Sequence, residues 1–317
     1  MHKKYWIYLI LLVVGVAVLL FLSTEKTSTL NSDVTFAIAD TAAIDKVFIA
    51  DRSGNTITLD RQENYWMINN KYIVRKDAIN ILLSTIHQLK IERPVPLNTF
   101  ENVVKNLSTT GVKVEIYSAS KTLRVYTVGA ETADHLGTYM LLDGAAAPFI
   151  MHIPAFNGYL SPRYGIQGQL IDEKNWRKRT VFNVPSDSIQ NITVHNLLKP
   201  HQSFSLQLFP TLLVDYAANP IAFNEQAVLA YINNFRQLNC ESYKKDKSKI
   251  EFATPLHELI VNTDTLRTFA IGDSILKRKE DNFTVERMHA TLNNGELMLI
   301  QNYVFNKVLI TIDELRK

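Results

Sequence analysis

Cysteine, glycine and proline are all scarce in this chain of 317 residues, which has one cysteine, 11 glycines and 10 prolines. The single thiol, Cys240, has no partner within the chain, so a fold held together by intramolecular disulfides is excluded. Disorder is not indicated either, because 46% of the residues are hydrophobic and can build a core. We therefore expect one large folded domain or two of ordinary size.

An excess of charge of one sign is also missing. The chain has 34 lysines and arginines against 31 aspartates and glutamates, and the formal net charge is +3. A nucleic-acid-binding domain usually presents a dense basic surface that neutralises phosphates. The sequence therefore predicts no nucleic-acid partner.

The common motifs of catalysis and metal binding are absent too. The sequence has no G-x-S-x-G, no G-x-x-x-x-G-K, no H-E-x-x-H and no C-x-x-C. Cys240 is followed by Glu241, whose carboxylate would raise the pKa of the thiol and so disfavours a nucleophilic role. We expect no catalytic residues, no metal site and no cofactor, although an enzyme without these motifs stays open as an alternative.

One long hydrophobic run is present near the start, from Tyr5 to Leu22, directly after Lys3 and Lys4. As a helix these eighteen residues would span about 27 Å, close to the thickness of the bilayer hydrocarbon core. The run predicts a transmembrane signal anchor over residues 5–22, with a cytoplasmic stub at 1–4 and a linker at 23–33. The preceding lysines favour a single-pass protein of the inner (cytoplasmic) membrane, with the N-terminus cytoplasmic and the bulk of the chain periplasmic.

A cleaved secretory signal is the alternative interpretation of this run. Signal peptidase requires small residues after the apolar core, whereas Phe21–Lys26 offers no A-x-A-like site. No cysteine follows that could carry a lipid. We therefore expect the anchor to stay attached.

The rest of the sequence predicts an α+β fold. Apolar residues recur every three or four positions from Lys76 to Leu89, as on one face of a helix. A second main helix is predicted from Glu225, capped by Asn224, to about Asn239. Short alternating segments elsewhere, with Val308–Ile312 as the last, predict strands whose connections are too short for parallel crossovers. The sheets should therefore be mainly antiparallel.

Three patterns recur in the same order at separations of 143 to 149 residues. The clearest is Thr122–Gly129, which reappears as Thr265–Gly272 with its aromatic, branched and glycine positions in register. The helical stripe and a short strand that contains Val47 repeat likewise. The pattern predicts a tandem duplication of a strand-rich unit with one main helix, with a first copy at 34–153, an irregular connector at 154–179 and a second copy at 180–317.

Candidate binding residues concentrate in this connector, where aromatic surface and positive charge occur together. These candidates are Tyr159, Arg163, Tyr164, Trp176 and Arg177. The repeated Arg124 and Arg267 are a further candidate pair that could bind an anion. The alternative for these two is a solvent-facing position on a strand, which the apolar neighbours on either side favour.

Five segments carry a resemblance to a known family: Trp66–Asn69, Tyr72–Ile79, Gly137–Met140, Pro148–Ile150 and Phe156–Leu160. Together with the anchor they resemble an uncharacterised family of bacterial envelope proteins with a domain of unknown function (DUF4340-like). Within that family the chain resembles the single-span members typical of Bacteroidetes. No catalytic residues are established for the family, so the resemblance assigns none here.

Some relatives in that family are associated with ABC transporter components of the gliding-motility type. The resemblance therefore implies an auxiliary role beside an envelope ABC transporter. We expect a membrane-anchored interaction or scaffolding protein that contacts the lipid bilayer through residues 5–22 and an envelope protein partner through its periplasmic part. The alternative is an envelope enzyme or small-ligand binder that uses the connector between the two copies.

Overall fold

The computed structural model describes residues 35–244, 246–250, 253–271 and 286–317. The predicted anchor at residues 5–22 lies outside these ranges. None of the helices in the described ranges combines the length and the apolar character needed to cross a membrane. The chain divides into two compact units, of which one comprises the described part of Met1–Thr56 with Asn80–Ile171, and the other comprises Ile57–Ile79 with Asp172–Lys317.

The first large sheet has nine strands in the order β4-β3-β2-β1-β6-β7-β8-β9-β5. Their bounds are β1 Lys46–Ala50, β2 Thr56–Arg61, β3 Trp66–Ile68, β4 Tyr72–Ile73, β5 Lys90–Pro94, β6 Val112–Ser118, β7 Lys121–Glu131, β8 Thr138–Leu142 and β9 Phe149–His152. Burial alternates along β1, where Val47 and Ile49 are fully buried between half-buried neighbours. This period of two gives the strand one face for the core.

Two helices belong to the same part of the chain. Helix α1 spans Lys76–Gln88 and buries Leu82 and Ile86 completely, as the apolar stripe predicts. Helix α2 spans Leu97–Thr110 and packs Val103 and Leu107 with Ile150 of β9. The first helix thus follows the predicted bounds to within one residue.

Residues 154–179 form short elements rather than a long helix or strand. A 3-10 turn at Ser161–Tyr164 is followed by a small hairpin of β10 (Ile166–Gln167) and β11 (Leu170–Ile171), and by a second 3-10 turn at Glu173–Asn175. Strand β12 then begins at Thr180 and ends at Phe182.

The second large sheet also has nine strands, in the order β16-β15-β14-β13-β19-β20-β21-β22-β18. Their bounds are β13 Asn191–Asn196, β14 Phe204–Leu208, β15 Thr211–Asp215, β16 Pro220–Ile221, β18 Ser242–Tyr243, β19 His257–Val261, β20 Asp264–Phe269, β21 Arg287–Leu292 and β22 Met298–Gln301. Strand β17, Leu238–Asn239, pairs with β12 outside this sheet. Helix α3 spans Glu225–Ile232 and α4 spans Asn302–Phe305.

The two large sheets have the same strand order. If β17 is left aside, each strand of the second sheet takes the place of its counterpart in the first, and α3 follows β16 as α1 follows β4. Strand β7 contains Thr122–Gly129 and strand β20 contains 265–269 of its repeat, and the two strands occupy equivalent positions. Gly272, the end of the repeat, lies outside the described residues. The expected mixed α+β class with mostly antiparallel sheets is thereby confirmed.

Helix α3 begins as predicted but ends earlier than predicted. The Asn224 side chain accepts hydrogen bonds from the backbone N–H groups of Gln226 and Ala227, as an N-cap does. The α-helix stops at Ile232, however, and Phe235 lies in a 3-10 turn that follows. The expected continuation to about Asn239 is wrong. The spacing of apolar residues indicates only which side chains are buried. Leu238 is buried, as that spacing predicts, but it lies in strand β17 and not in a helix.

The predicted strand at Val308–Ile312 is also wrong. Val308 follows the short helix α4 in a turn, and a 3-10 turn begins at Ile312. Thr311 and Glu314 form a capping box there, each side chain bonding the backbone of the other. Val308 and Ile312 are buried as the alternation predicts, but they reach the core from turns.

Candidate functional site

The connector is attached to the first sheet by buried polar contacts. The Ser161 hydroxyl donates to the carbonyl oxygen of Gly129 in β7 at 3.0 Å, and the backbone N–H of Leu160 donates to Thr138 Oγ1 at 2.7 Å. Ser161 and Thr138 are both buried. These bonds fix the start of the 3-10 turn against β7 and β8, so the connector is part of the fold and not a free loop.

A cleft of about 700 Å³ lies where the connector meets the end of β7, and we call it the connector cleft. Its walls are residues 128–131 of β7, Thr110 at the end of α2, Val112 at the start of β6, and connector residues Tyr159, 161–162 and 166–169. All of these residues belong to the first unit. The volume is in the range typical of small-molecule and peptide sites.

Glycine at position 129 shapes one wall of the connector cleft. A Cβ atom there would lie 2.7 Å from Leu107 Cδ2 and 3.0 Å from the Tyr139 carbonyl oxygen. The absence of a side chain therefore lets α2 pack closely across β7 beside the cleft. In the sequence, Gly129 stands out only as part of the repeated Thr122–Gly129 segment.

The β10–β11 hairpin forms the facing wall. Gln167 pairs with Leu170, so Gly168 and Gln169 make a two-residue turn, with φ values of 54° and 69°. Both central residues of a type I′ turn require positive φ, which is uncommon for glutamine. The strained backbone holds Gln169 at the cleft wall. Glycine at position 168 is the one feature of the sequence that could have predicted this turn.

The charge of the connector cleft comes from Glu131. It is the one charged residue among the wall residues in the described part of the chain, and its side chain is 39% exposed. His135 Nδ1 lies 3.8 Å from Glu131 Oε1, and the His135 ring is 6.2 Å from the ring of Tyr159 between centroids. The cleft therefore suits a neutral or cationic group better than a phosphate or a carboxylate.

A second cluster surrounds Arg177 in the second unit. The guanidinium carbon lies 3.4 Å from the ring centroid of Tyr72 and 3.9 Å from that of Tyr243. Two hydrogen bonds of 3.0 and 2.6 Å join the same group to the Glu296 carboxylate. This combination of stacking and bidentate pairing is typical of arginine and holds the cluster together.

The pKa shifts of Arg177 and Glu296 are those expected of an ion pair. Burial would lower the pKa of Arg177, but the hydrogen bonds and charge of Glu296 outweigh it, so the pKa is raised. The same hydrogen bonds hold the pKa of Glu296 below its ordinary value. Both groups are therefore charged at neutral pH, and the guanidinium already has a carboxylate partner.

Cys240 lies close to this cluster and is buried. Burial raises the pKa of its thiol to about 11, against smaller opposing effects of the Tyr243 hydroxyl and of Arg179. A thiol with this pKa is almost entirely protonated near neutrality. The chemistry of a nucleophile is therefore disfavoured, and the cause is burial rather than the neighbouring Glu241.

The structure places the other connector candidates in different surroundings. Arg163 donates from Nε to the buried Thr85 hydroxyl at 2.7 Å and covers the ring of Phe156. Tyr164 is fully buried, and its hydroxyl lies 2.9 Å from that of Tyr126. Trp176 is 2% exposed, and its indole N–H has no partner among the described residues. Of the five candidates, Tyr159 lines the connector cleft.

Arg124 and Arg267 each have partners within their own unit. Arg124 donates to the carbonyl oxygens of Thr35 and Leu123. Arg267 donates from Nε to Glu258 at 2.6 Å and from Nη1 to Asn294 at 2.7 Å. Both side chains are half-buried on their strands. These bonds account for both guanidinium groups without an anion.

Sequence reasoning missed several residues that the structure brings into these two places. Glu131, Gln167 and Gln169 line the connector cleft, and Tyr243 and Glu296 surround Arg177. No local motif marks any of them except the Gly168 turn. Over the described ranges, no group of three or more His, Cys, Asp or Glu side chains is placed to hold a metal ion.

Comparison with known proteins gives one family. No curated protein and no solved structure matches this chain. The model of the family described as "Domain of unknown function (DUF4340)" matches residues 66–255, which is more than half of the sequence. The matched range includes the connector, the end of β7 and the tyrosines that flank Arg177. The chain therefore belongs to the DUF4340 family.

Proposed function

We propose that this protein is a membrane-anchored interaction or scaffolding protein of the bacterial envelope. In this proposal residues 5–22 span the inner membrane, residues 1–4 are cytoplasmic, and the two sheets lie in the periplasm. The apolar run and its preceding lysines support the placement. The partner we propose is a component of an envelope ABC transporter of the gliding-motility type, as the family resemblance in Bacteroidetes-type relatives suggests.

One observation carries this proposal: an aromatic side chain stands exposed beside a groove on the second sheet. Phe209, in the turn between β14 and β15, is 69% exposed, and Leu212 on β15 is 41% exposed. The groove has a volume of about 450 Å³ and runs along β13 and β14 beside Thr193 and Gln207. Exposed aromatic anchors surrounded by polar groups are typical of protein interfaces.

The experiment is co-purification from mildly solubilised membranes after crosslinking, with the full chain as bait. We expect a transporter component to be recovered with the wild-type chain and to be reduced at least fivefold with Phe209→Ala. Tyr303→Ala is the matched control, because Tyr303 is 78% exposed on α4 and is not among the wall residues of the groove. If no transporter component is crosslinked to the chain, the proposed function is contradicted. If Phe209→Ala and Tyr303→Ala recover equal amounts of partner, the groove is not the binding surface.

We also infer that the two sheets arose by tandem duplication. The support is the shared strand order together with the three sequence patterns that recur at separations of 143 to 149 residues. An experimental structure in which the Cα traces of β1–β9 and of their counterparts fail to superpose would contradict it. A duplicated protein presents two similar platforms, which suits a scaffold.

A second candidate function is small-ligand binding or catalysis at the connector, and the connector cleft favours it. Its walls are held by buried hydrogen bonds, and its polar groups converge from β7 and from the hairpin. Filling the cleft by Ala130→Trp should abolish ligand binding there while leaving partner recovery through Phe209 unchanged. Loss of both activities in that variant would mean that the cleft is structural.

A further inference from the structure

Strand β7 is longer than the neighbour that pairs with it on one side. Its register with β6 ends where Val112 lies opposite Val128, yet β7 continues to Glu131. On its other side the same end of β7 still pairs with β8, where Glu131 lies opposite Thr138. In the described residues no strand pairs with 129–131 on the β6 side.

The connector cleft lies at this open position. Its walls include Thr110 at the end of α2, Val112 at the start of β6 and residues 128–131 of β7, so the cleft lies beside the end of β7 that β6 leaves without a pairing strand. The Gly129 carbonyl is already satisfied by Ser161, which leaves Ala130 and Glu131 without a strand neighbour there. An unpaired strand edge can accept a further strand through main-chain hydrogen bonds.

The walls of the cleft also restrict the character of an incoming segment. Gln167 and Gln169 are exposed on the hairpin and can both donate and accept hydrogen bonds, as a polypeptide backbone requires. Glu131 provides the negative charge, and the walls carry no lysine or arginine among the described residues. Two extended residues would span about 7 Å alongside Ala130 and Glu131.

We propose that the connector cleft binds a short, extended, neutral or basic polypeptide segment, which adds as a strand beside the end of β7. This inference rests on the proposed ligand binding at the connector and names the ligand class. The segment belongs to a partner polypeptide and pairs through its backbone, while Glu131 selects a lysine or arginine side chain.

The test uses the detergent-solubilised full chain and a fluorescein-labelled hexapeptide of alternating valine and lysine. Binding is measured by fluorescence anisotropy. We expect the same peptide with alternate backbone amides N-methylated to bind at least tenfold more weakly, because methylation removes the donors that strand pairing needs. Equal binding of the two peptides overturns strand addition, and this comparison needs no protein variant.

Charge selection is tested with a valine–glutamate hexapeptide and with Glu131→Gln. We expect the acidic peptide to bind at least fivefold more weakly than the lysine peptide, and Glu131→Gln to remove most of this difference. Asp143→Asn is the matched control, because it changes the net charge equally from an exposed loop that does not line the cleft. A preference that survives Glu131→Gln overturns the proposed role of Glu131.

A chitotriose titration separates this inference from the broader proposal. Binding of the trisaccharide without binding of any peptide overturns the ligand class and leaves ligand binding at the cleft standing. If neither the peptides nor the trisaccharide bind, ligand binding at the cleft is overturned together with strand addition. Partner recovery through Phe209 is independent of both outcomes.

Discussion

Arg177 and Glu296 form a bidentate ion pair, with Nη1 3.0 Å from Oε1 and Nη2 2.6 Å from Oε2. The arginine side chain is 6% exposed, whereas the glutamate side chain is 44% exposed. The stacked rings of Tyr72 and Tyr243 cover both faces of the guanidinium. The guanidinium is thus buried and already paired with a carboxylate, so a structural role explains this residue better than ligand binding.

Replacing Arg177 by lysine should lower the free energy of unfolding by about 2 kcal/mol, because an ammonium cannot make the bidentate pair or stack on both rings. Urea denaturation of the detergent-solubilised full chain measures the loss. Arg267→Lys is the control, since Arg267 is more exposed and makes one hydrogen bond to Glu258. It should cost less than about 1 kcal/mol, and equal losses would contradict the structural role.

The pair should also make stability depend on pH. Hydrogen bonds from Arg177 keep the pKa of Glu296 below its ordinary 4.5 in the folded state. The stabilisation is therefore fully present above pH 4.5 and is lost as the pH falls through the lowered folded value. The difference in unfolding free energy between wild type and Glu296→Gln should shrink from neutral pH to about pH 3. A difference that stays constant over this range would exclude the ion pair as its source.

Cys240 should react slowly in the folded protein. Burial raises its pKa from 9.0 to about 11, so at pH 8 the thiolate population is about 100-fold below that of an ordinary thiol. Iodoacetamide should therefore label the native chain at least about 100-fold more slowly than the urea-unfolded chain, as followed by mass spectrometry. Comparable rates in the two states would show that the thiol is accessible and ionised.

Gly129→Ala should destabilise the first unit by about 1–3 kcal/mol, because the added Cβ would overlap Leu107 and crowd the Tyr139 carbonyl. The double variant with Leu107→Ala should lose less than the sum of the two single losses, since the truncated side chain leaves room for the new methyl group. Urea denaturation of all three variants gives the coupling. Strict additivity would mean that α2 does not pack against Gly129 as described.

Tyr164→Phe should cost about 1–2 kcal/mol, because the buried Tyr126 hydroxyl would lose its partner at 2.9 Å. The double variant Tyr126→Phe and Tyr164→Phe should be closer to wild type than the single variant, since it leaves no buried hydroxyl unsatisfied. Peptide binding at the connector cleft should be unaffected by the double variant. Lost binding with normal stability would return Tyr164 to the candidate binding residues.

Local sequence patterns correctly predicted the elements in which the buried side chains recur with the period of the backbone structure that contains them. The stripe from Ile79 to Leu89 predicted α1 correctly, and the Asn224 cap predicted the start of α3. The same patterns gave wrong predictions at Leu238, which lies in a strand and not in the predicted helix, and at Val308, which lies in a turn and not in the predicted strand. Apolar spacing reports which side chains are buried, but the backbone hydrogen bonds that define an element also depend on the neighbouring strands.

The candidate site was predictable only in part. Aromatic and charged residues drew attention to the connector, and Tyr159 does line the cleft. Its remaining walls combine other connector residues with the end of α2, the start of β6 and the end of β7, and no motif links these elements to the connector in sequence. The partners of Arg177 were equally hidden, since Glu296 lies 119 residues away.

The sequence by itself determined the apolar run at the start, the α+β class, the antiparallel character of the sheets and the recurrence of the Thr122 segment at Thr265. These properties depend on composition and on neighbours within a few residues. Only the tertiary structure decided that β7 extends past β6 beside the connector, and that Arg177 is paired with Glu296. Contacts between residues far apart in sequence depend on the packing of the whole unit, because no local pattern specifies which buried or charged group meets which.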